Sequence, residues 1–249
     1  MRRAASRLAR GFSTAPKRLP IYQLDAFSSR PFGGNPAAVL PLEEWLPDET
    51  LLSIAAENNL AETAFTVPLD GGRYHLRWFT PTVEVDMCGH GTLATAALVL
   101  DRLQPDASAV SFETRSGELR VRKCPQNSGR LTLDFPLSLC GDAVEAPAAL
   151  VAAVGADPIE CYPVPPMHGA PFFLFRYADE ASVRALQPQH DRMEANVVAT
   201  APGAAGSGVD FVSRFFGPLI GIIEDPVTGS AHTALAPFWA SQLGKEEME

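Results

Sequence analysis

One pattern occurs twice in this chain. Arg77 to Leu100 reads RWFTPTVEVDMCGHGTLATAALVL, and Arg214 to Trp239 reads RFFGPLIGIIEDPVTGSAHTALAPFW. Each copy has an arginine, two aromatics, one further residue and a proline, then an apolar and acidic approach, a glycine-centred turn and a run of small apolar residues. A duplicated unit keeps the spacing of its own turns and core faces, so the pattern predicts two structurally similar lobes. The apolar run constrains the fold most. Thr92 to Leu100 (TLATAALVL) has no solvated face, and a helix that is hydrophobic all round must be buried inside other structure. The surrounding sequence is strand-rich, so the expected surroundings are a sheet wrapped around that helix.

The turns before the two helices, Cys88-Gly89-His90-Gly91-Thr92 and Thr228-Gly229-Ser230-Ala231-His232, leave backbone N–H groups without intrahelical partners. Helix starts of this kind bind carboxylates and phosphates. Two of them facing each other across a lobe interface would clamp a small anionic ligand. Gly and Ser also serve simply as caps of core helices, and the turns alone leave both roles open.

Composition sets outer bounds. A chain of 249 residues with 46% apolar residues fits one or two globular domains. No apolar run approaches the roughly 18 residues that span a bilayer. A net charge of −9, with no basic cluster beyond the N-terminus, argues against nucleic acid as a partner. Cys88, Cys124, Cys140 and Cys161 form no CxxC pair and no short metal spacing, and read as reduced, individually placed thiols. Residues 1–18, MRRAASRLARGFSTAPKR, are rich in Arg, contain Ser and carry no acid. That is the signature of an organellar transit peptide, and Arg10-Gly11-Phe12-Ser13 looks like a mitochondrial processing site. A mitochondrial location is the expectation; a basic tail on a cytoplasmic protein is the alternative.

In chain order, Tyr22 to Phe27 reads as a strand, Ser28 to Pro36 as a loop, and Ala37 to Leu40 as a strand again. Gly33, Gly34, Asn35 and Pro36 allow positive φ and a close approach of backbone to a ligand. Asp48 is the expected N-cap of a helix that ends at Asn58-Asn59. Leu60 to Val67 reads as a strand with Leu60, Glu62, Ala64 and Thr66 on one face. Glu62 therefore sits among small and apolar neighbours, where desolvation raises a carboxyl pKa toward the range of a general acid/base. Hairpins are expected with turns at Ser116-Gly117 and at Gln126 to Gly129. Leu137 to Ala148 then crosses to the second lobe, dividing the chain into lobes at 19–139 and 140–249. A short helix is expected at Ala149 to Val154, a loop at Pro163 to Pro171, a strand at Phe172 to Phe175, a helix at Asp179 to Leu186, and strands at Ala195 to Thr200 and Val209 to Phe216. The hairpin strands that follow the first central helix have no counterpart after the second. By the repeat, the second lobe is expected to be truncated, leaving unpaired sheet edges that invite aggregation or partner pairing.

The segments DAFSSRPFGGNPAAV (25–39), NNLAETAF (58–65), RWFTPTVEVDMCGHGTLA (77–94) and RFFGPLIGIIEDPVTGSAHTALAPFWASQLGK (214–245) resemble the PhzF-like isomerases of phenazine biosynthesis, which are related in fold to diaminopimelate epimerase. The resemblance spans residues 20–245. It implies an α+β fold of two pseudo-symmetric lobes, each a β-barrel around a central helix, with the active site between them. It also implies proton transfer within a small carboxylated substrate, with no metal, nucleotide or pyridoxal cofactor, and homodimerisation. The family's catalytic Glu falls on Glu62, its site His on His90, and its Asp and Ser on Asp225 and Ser230. Binding positions expected around them are Asn35, Gly89, Gly91, Thr92, Gly229, Ser230 and Ala231. A two-cysteine racemase would need a thiol in each turn; Cys88 has no partner in the second. No G-x-S-x-G elbow supports a serine hydrolase, and His90, Asp225 and His232 have no recognisable metal spacing. The remaining rival is an inactive binding or interaction scaffold of the same fold.

Overall fold

In the computed structural model, residues 18–125, 129–167 and 169–249 are described. The transit-like stretch up to residue 17 and most of the expected turn at 126–129 lie outside them. The chain begins with strands Tyr22–Ala26 (β1) and Asn35–Pro41 (β2), antiparallel in the register Tyr22↔Val39. The loop between them enters the left-handed region at Phe27 (φ 60°), Phe32 (φ 62°) and Gly34 (φ 68°). At Gly34 a Cβ would lie 2.0 Å from the Ala26 carbonyl oxygen, so only glycine fits there.

Helix α1 (Asp48–Asn58) is capped by Pro47 rather than by Asp48. Proline loses nothing at that position, because its missing N–H would have no helical partner. The Asp48 carboxylate instead stands 3.0 Å from the Arg77 guanidinium. The helix ends where expected, on Asn59 in the left-handed conformation, whose N–H bonds the Ala55 carbonyl. Strand β3 (Glu62–Pro68) follows parallel to β2, with Ala37 opposite Glu62. Strands β4 (Tyr74–Phe79) and β5 (Glu84–Val85) then lead into helix α2 (Gly89–Leu98) and a wider helical turn over Val99–Leu103. Strands β6 (Ala109–Thr114), β7 (Gly117–Lys123) and β8 (Leu131–Asp134) complete the first lobe.

The first sheet has eight strands in the order β1-β2-β3-β4-β6-β7-β8, with β5 paired to β4. It curls around α2 as the all-apolar sequence requires. Ala94, Ala96 and Leu98 of the helix meet Val39, Ala64, Leu76, Trp78, Phe112 and Val121 from the strands in one buried cluster. The curl stops short of a closed barrel. Between β1 and β8 the floor of α2 lines an open cleft of about 790 Å³, bordered by Leu24, Leu93, Ala97 and Leu131.

The second lobe follows the same path. Helix α3 (Ala148–Val154) precedes β9 (Glu160–Met167) and β10 (Ala170–Arg176); α4 (Glu180–Ala185), β11 (Asn196–Pro202), β12 (Phe211–Gly217), β13 (Ile222–Asp225) and α5 (His232–Leu243) complete it. The order is β13-β12-β11-β10-β9, and β10 and β11 are parallel as β2 and β3 are. The repeated arginines have matching tasks. Arg77 forks onto Glu84 and lies 5.1 Å from the Phe79 ring; Arg214 forks onto Glu224 and lies 4.9 Å from the Phe216 ring. Each holds its outer strand pair through a bidentate ion pair and a cation–π contact. Among the described residues nothing in the second sheet corresponds to β6, β7 and β8.

A second expectation fails here. Pro163 to Pro171 is not a loop: β9 runs through Pro163, Pro165 and Pro166 to Met167, and β10 starts at Ala170. β9 is an edge strand, and proline is tolerated there because an outward-facing residue has no ladder bond to donate.

Replacing Gly34 by alanine forces its Cβ against the Ala26 carbonyl in a backbone conformation that alanine avoids. The expected loss is about 2 kcal/mol or more of unfolding free energy, read as a lower urea midpoint at unchanged m-value.

Candidate active site

The parallel pairing of β2 with β3 sets Ala37 beside Glu62 and carries Asn35, two residues earlier, to the same end of the sheet, where α2 also starts. The turn after β13 brings Asp225, Thr228, Gly229 and Ser230 to the same place from the second lobe. The lobes touch through their glycines. A Cβ on Gly89 would lie 3.2 Å from the Gly229 Cα and 3.0 Å from the Phe135 ring; one on Gly229 would lie 3.3 Å from the Gly89 Cα and 3.0 Å from the Phe27 ring. The two helix starts therefore face each other at backbone contact distance.

Between them is a cavity of about 10 Å³ bordered by Glu62, Cys88, His90, Asp225 and Ser230, with Met167, Phe215, Ile220 and Ile222 as its apolar wall. That is the room one water needs. Glu62 is 6% exposed and His90 3% exposed. Their atoms Oε2 and Nε2 are 3.2 Å apart without the alignment of a hydrogen bond, and neither atom has another partner.

Asn35 joins the lobes. Its Nδ2 donates to Asp225 Oδ1 at 2.6 Å and to the Val227 carbonyl at 3.0 Å, and stands 3.3 Å from His90 Nδ1. The second Asp225 oxygen accepts from the Thr228 hydroxyl at 2.6 Å. Cys88 caps α2, its Sγ accepting the Gly91 N–H at 3.3 Å while lying 3.6 Å from His90 Nδ1. The Asn35 amide nitrogen, its two hydrogens spent on Asp225 and Val227, offers Nδ1 no acceptor, and the Cys88 thiol is left to donate to it, which places the His90 proton on Nε2, toward Glu62.

Burial sets the protonation states. It pushes the Glu62 carboxyl well above its ordinary value, and the charge of Asp225 adds to the rise. Burial lowers His90 to about 4. Asp225 is also raised by burial, against the pull of its bonds from Thr228 and Asn35. The Cys88 thiol is pushed far up by burial and by Glu62. Burial thus works against charge on both Glu62 and His90, and against an ion pair between them. Glu62, Cys88 and His90 offer ligand atoms within 4.8 Å of one another. A metal there would have to displace protons that burial holds on the carboxyl and the thiol, so this donor set fits proton chemistry better.

Of the residues singled out in the sequence, Glu62, Gly89, His90, Asp225, Gly229 and Ser230 border the cavity, and Asn35 stands behind it. Gly91 is spent on close packing, since a Cβ there would lie 2.9 Å from both the Cys88 sulfur and the Trp78 ring. Thr92 does not reach the cavity, because its hydroxyl donates to the Cys88 carbonyl, the usual helix back-bond of a buried threonine. Ala231 is buried behind the turn as the cap of α5. Sequence reasoning missed Cys88 as a neighbour of His90, and Met167, which reaches the cavity because β9 continues past its prolines.

The structure of a predicted epimerase from Pseudomonas aeruginosa matches with a TM-score of 0.71 at 23% identity, over 92% of this chain and 83% of that one. The fold is therefore of the α+β epimerase-like kind. A PhzF-family structure from Enterococcus faecalis matches with a TM-score of 0.79 at 40% identity, covering 92% of this chain and 85% of that chain. A Pseudomonas aeruginosa protein described as an uncharacterized isomerase is 47% identical over 231 residues, 92% of this chain and 85% of its own length. The phenazine biosynthesis-like domain-containing protein 1 of Mus musculus is 37% identical over 254 residues, 93% of this chain and 86% of its own. The model of the PhzC-PhzF family, phenazine biosynthesis-like proteins, matches residues 24–249. The chain belongs to that family.

A carboxyl whose folded pKa is raised stabilises the fold fully below its unfolded value, near 4.5 for Glu62, and that contribution is lost as pH rises through the folded value. Glu62→Gln fixes the neutral form. Its melting temperature is expected to exceed that of the wild type by a margin that grows as pH rises above 4.5 and closes below it. A margin independent of pH in a series of thermal melts contradicts the desolvated carboxyl.

Proposed function

We propose that the protein is a cofactor-independent isomerase that moves a proton within a small carboxylate-bearing metabolite, with Glu62 as the general acid/base. The observation that carries this reading is a buried carboxyl with a raised pKa, bordering a small cavity between two helix starts. The α2 and α5 turns supply unpaired N–H groups for the substrate carboxylate. They also stabilise the negative charge that spreads onto it when a neighbouring C–H bond breaks. Glu62, in its ionised form, takes that proton. The electron pair of the C–H bond shifts the double bond, the Glu62 carboxyl exchanges its proton with solvent, and Glu62 then delivers one proton to a different carbon, so that atoms and charge balance over the cycle.

The other groups adjust this step. His90, neutral and protonated on Nε2, becomes the donor to Glu62 when that carboxyl ionises. Cys88 holds the tautomer by its thiol contact with Nδ1. Asp225 raises the Glu62 pKa, and this brings the base nearer the working pH. It also sits where it could exchange a proton with a polar group of the substrate. Ser230, 9% exposed at the start of the second turn, offers a hydroxyl to the substrate carboxylate.

Solvent deuterium incorporation into a panel of small unsaturated and hydroxylated carboxylic acids, followed by mass, tests this reading. The wild type is expected to label at least one of them, and Glu62→Gln to label it slower by ~10²-fold or more while still folding. Equal labelling by the two proteins removes Glu62 from the chemistry. No labelling by a folded wild type favours a binding scaffold.

A further inference from the structure

The two lobes correspond strand by strand, and the correspondence picks out a residue that the proton chemistry leaves unused. In the first lobe Ala37 pairs with Glu62, and Thr63 pairs with Phe79. In the second, Phe172 pairs with Asn196, and Val197 pairs with Phe216. Phe79 and Phe216 are the same position of the repeated RWFTP and RFFGP segments. Asn196 therefore occupies in the second lobe the place that Glu62 occupies in the first.

Asn196 is 0% exposed, and neither its Oδ1 nor its Nδ2 has a hydrogen-bond partner. A buried amide with both ends unpaired is costly, and native proteins seldom keep one without a use. Its level along the strand is fixed by its neighbours. Asn196, Val198 and Thr200 share one face of β11. Thr200 accepts the indole N–H of Trp239 at 2.9 Å, and Val198 packs in one cluster with Ala231, Ala234 and Leu235. Moving from Thr200 back to Asn196 covers about 13 Å of strand, the length of about nine helical residues. Counted back from Trp239, that distance ends at Ser230. Asn196 thus stands level with the second helix start, as Glu62 stands beside His90 at the first.

We propose that Asn196 is a further substrate-binding residue of the cleft, the neutral counterpart of Glu62, and that it receives a hydroxyl group on the carbon skeleton of the carboxylate. The assignment rests on the proton-transfer reading for the class of substrate. A hydroxyl both donates and accepts, which answers an amide that presents an empty acceptor and an empty donor. An amide neither ionises nor becomes protonated near neutral pH and so serves as no general acid or base, and this position binds while the Glu62 position reacts.

The test uses the full chain as wild type, Asn196→Leu, Asn196→Ala and Glu62→Gln, with but-3-enoate and 2-hydroxybut-3-enoate as probes. The Asn196 variants are expected to melt no lower than the wild type, because they remove an unpaired amide. The wild type is expected to bind the hydroxylated probe at least about tenfold more tightly than its deoxy partner by calorimetric titration. Both Asn196 variants should erase that preference and leave but-3-enoate binding unchanged, and Glu62→Gln should keep it. Melting temperatures lowered by more than about 5 °C in both variants would mark Asn196 as a structural amide and overturn the proposal. So would a wild type without the preference, or variants that retain it. A wild type that shows the preference but exchanges no deuterium refutes the general-base reading and leaves the Asn196 assignment standing.

Discussion

The structure depends on a contact with no side chains in it. Gly89 and Gly229 meet at their Cα atoms, and this approach sets the distance between the two lobes. Everything chemical follows from the closeness it permits. Two helix starts point at one small volume, and Asn35 can reach across to Asp225. Glu62 and Asp225 lie near enough for one to raise the pKa of the other. Any side chain at either glycine would have to displace Phe135 or Phe27 as well as the opposing backbone, so the two turns and the two rings form one packed unit.

Burial does most of the electrostatic work at the seam. Charged partners could have fixed Glu62 as an ion, yet the nearest basic group is a histidine that burial itself keeps neutral at about 4. Asn35 and Thr228 spend their hydrogen bonds on Asp225 instead, so one carboxylate of the pair is supported and the other is left desolvated. A carboxyl that is costly to ionise is also a strong base once ionised, and that difference between two acids a short distance apart is the chemical asset of the cleft.

Much of this was legible in the sequence for physical reasons. The all-apolar helix had to be wrapped, and the repeat had to place two such helices in equivalent positions. Asn59 had to end α1, since asparagine tolerates the left-handed region better than most residues. Glu62 was marked by its apolar strand face. Other features were not readable. The prolines of Pro163 to Pro171 look like a loop until β9 is known to be an edge. The spending of Thr92 on a helix back-bond is decided by packing. The role of Asn35 as a tie between lobes leaves no trace in residue spacing, because it depends on how distant segments meet, and the contact of Cys88 with His90 two residues on is decided by the geometry of the helix cap.

The cavity between the lobes has room for a single water, and no metabolite is that small. Entry of a metabolite requires the seam to part, and parting breaks the bonds from the Asn35 amide to Asp225 and the Val227 carbonyl. A ligand that enters has to replace them, so its own polar groups become the latch that lets the lobes shut again. Residence in the site and exclusion of bulk water are then one event, and on the proposed reading the frequency of that opening is a ceiling on turnover that no improvement of the acid or base can raise.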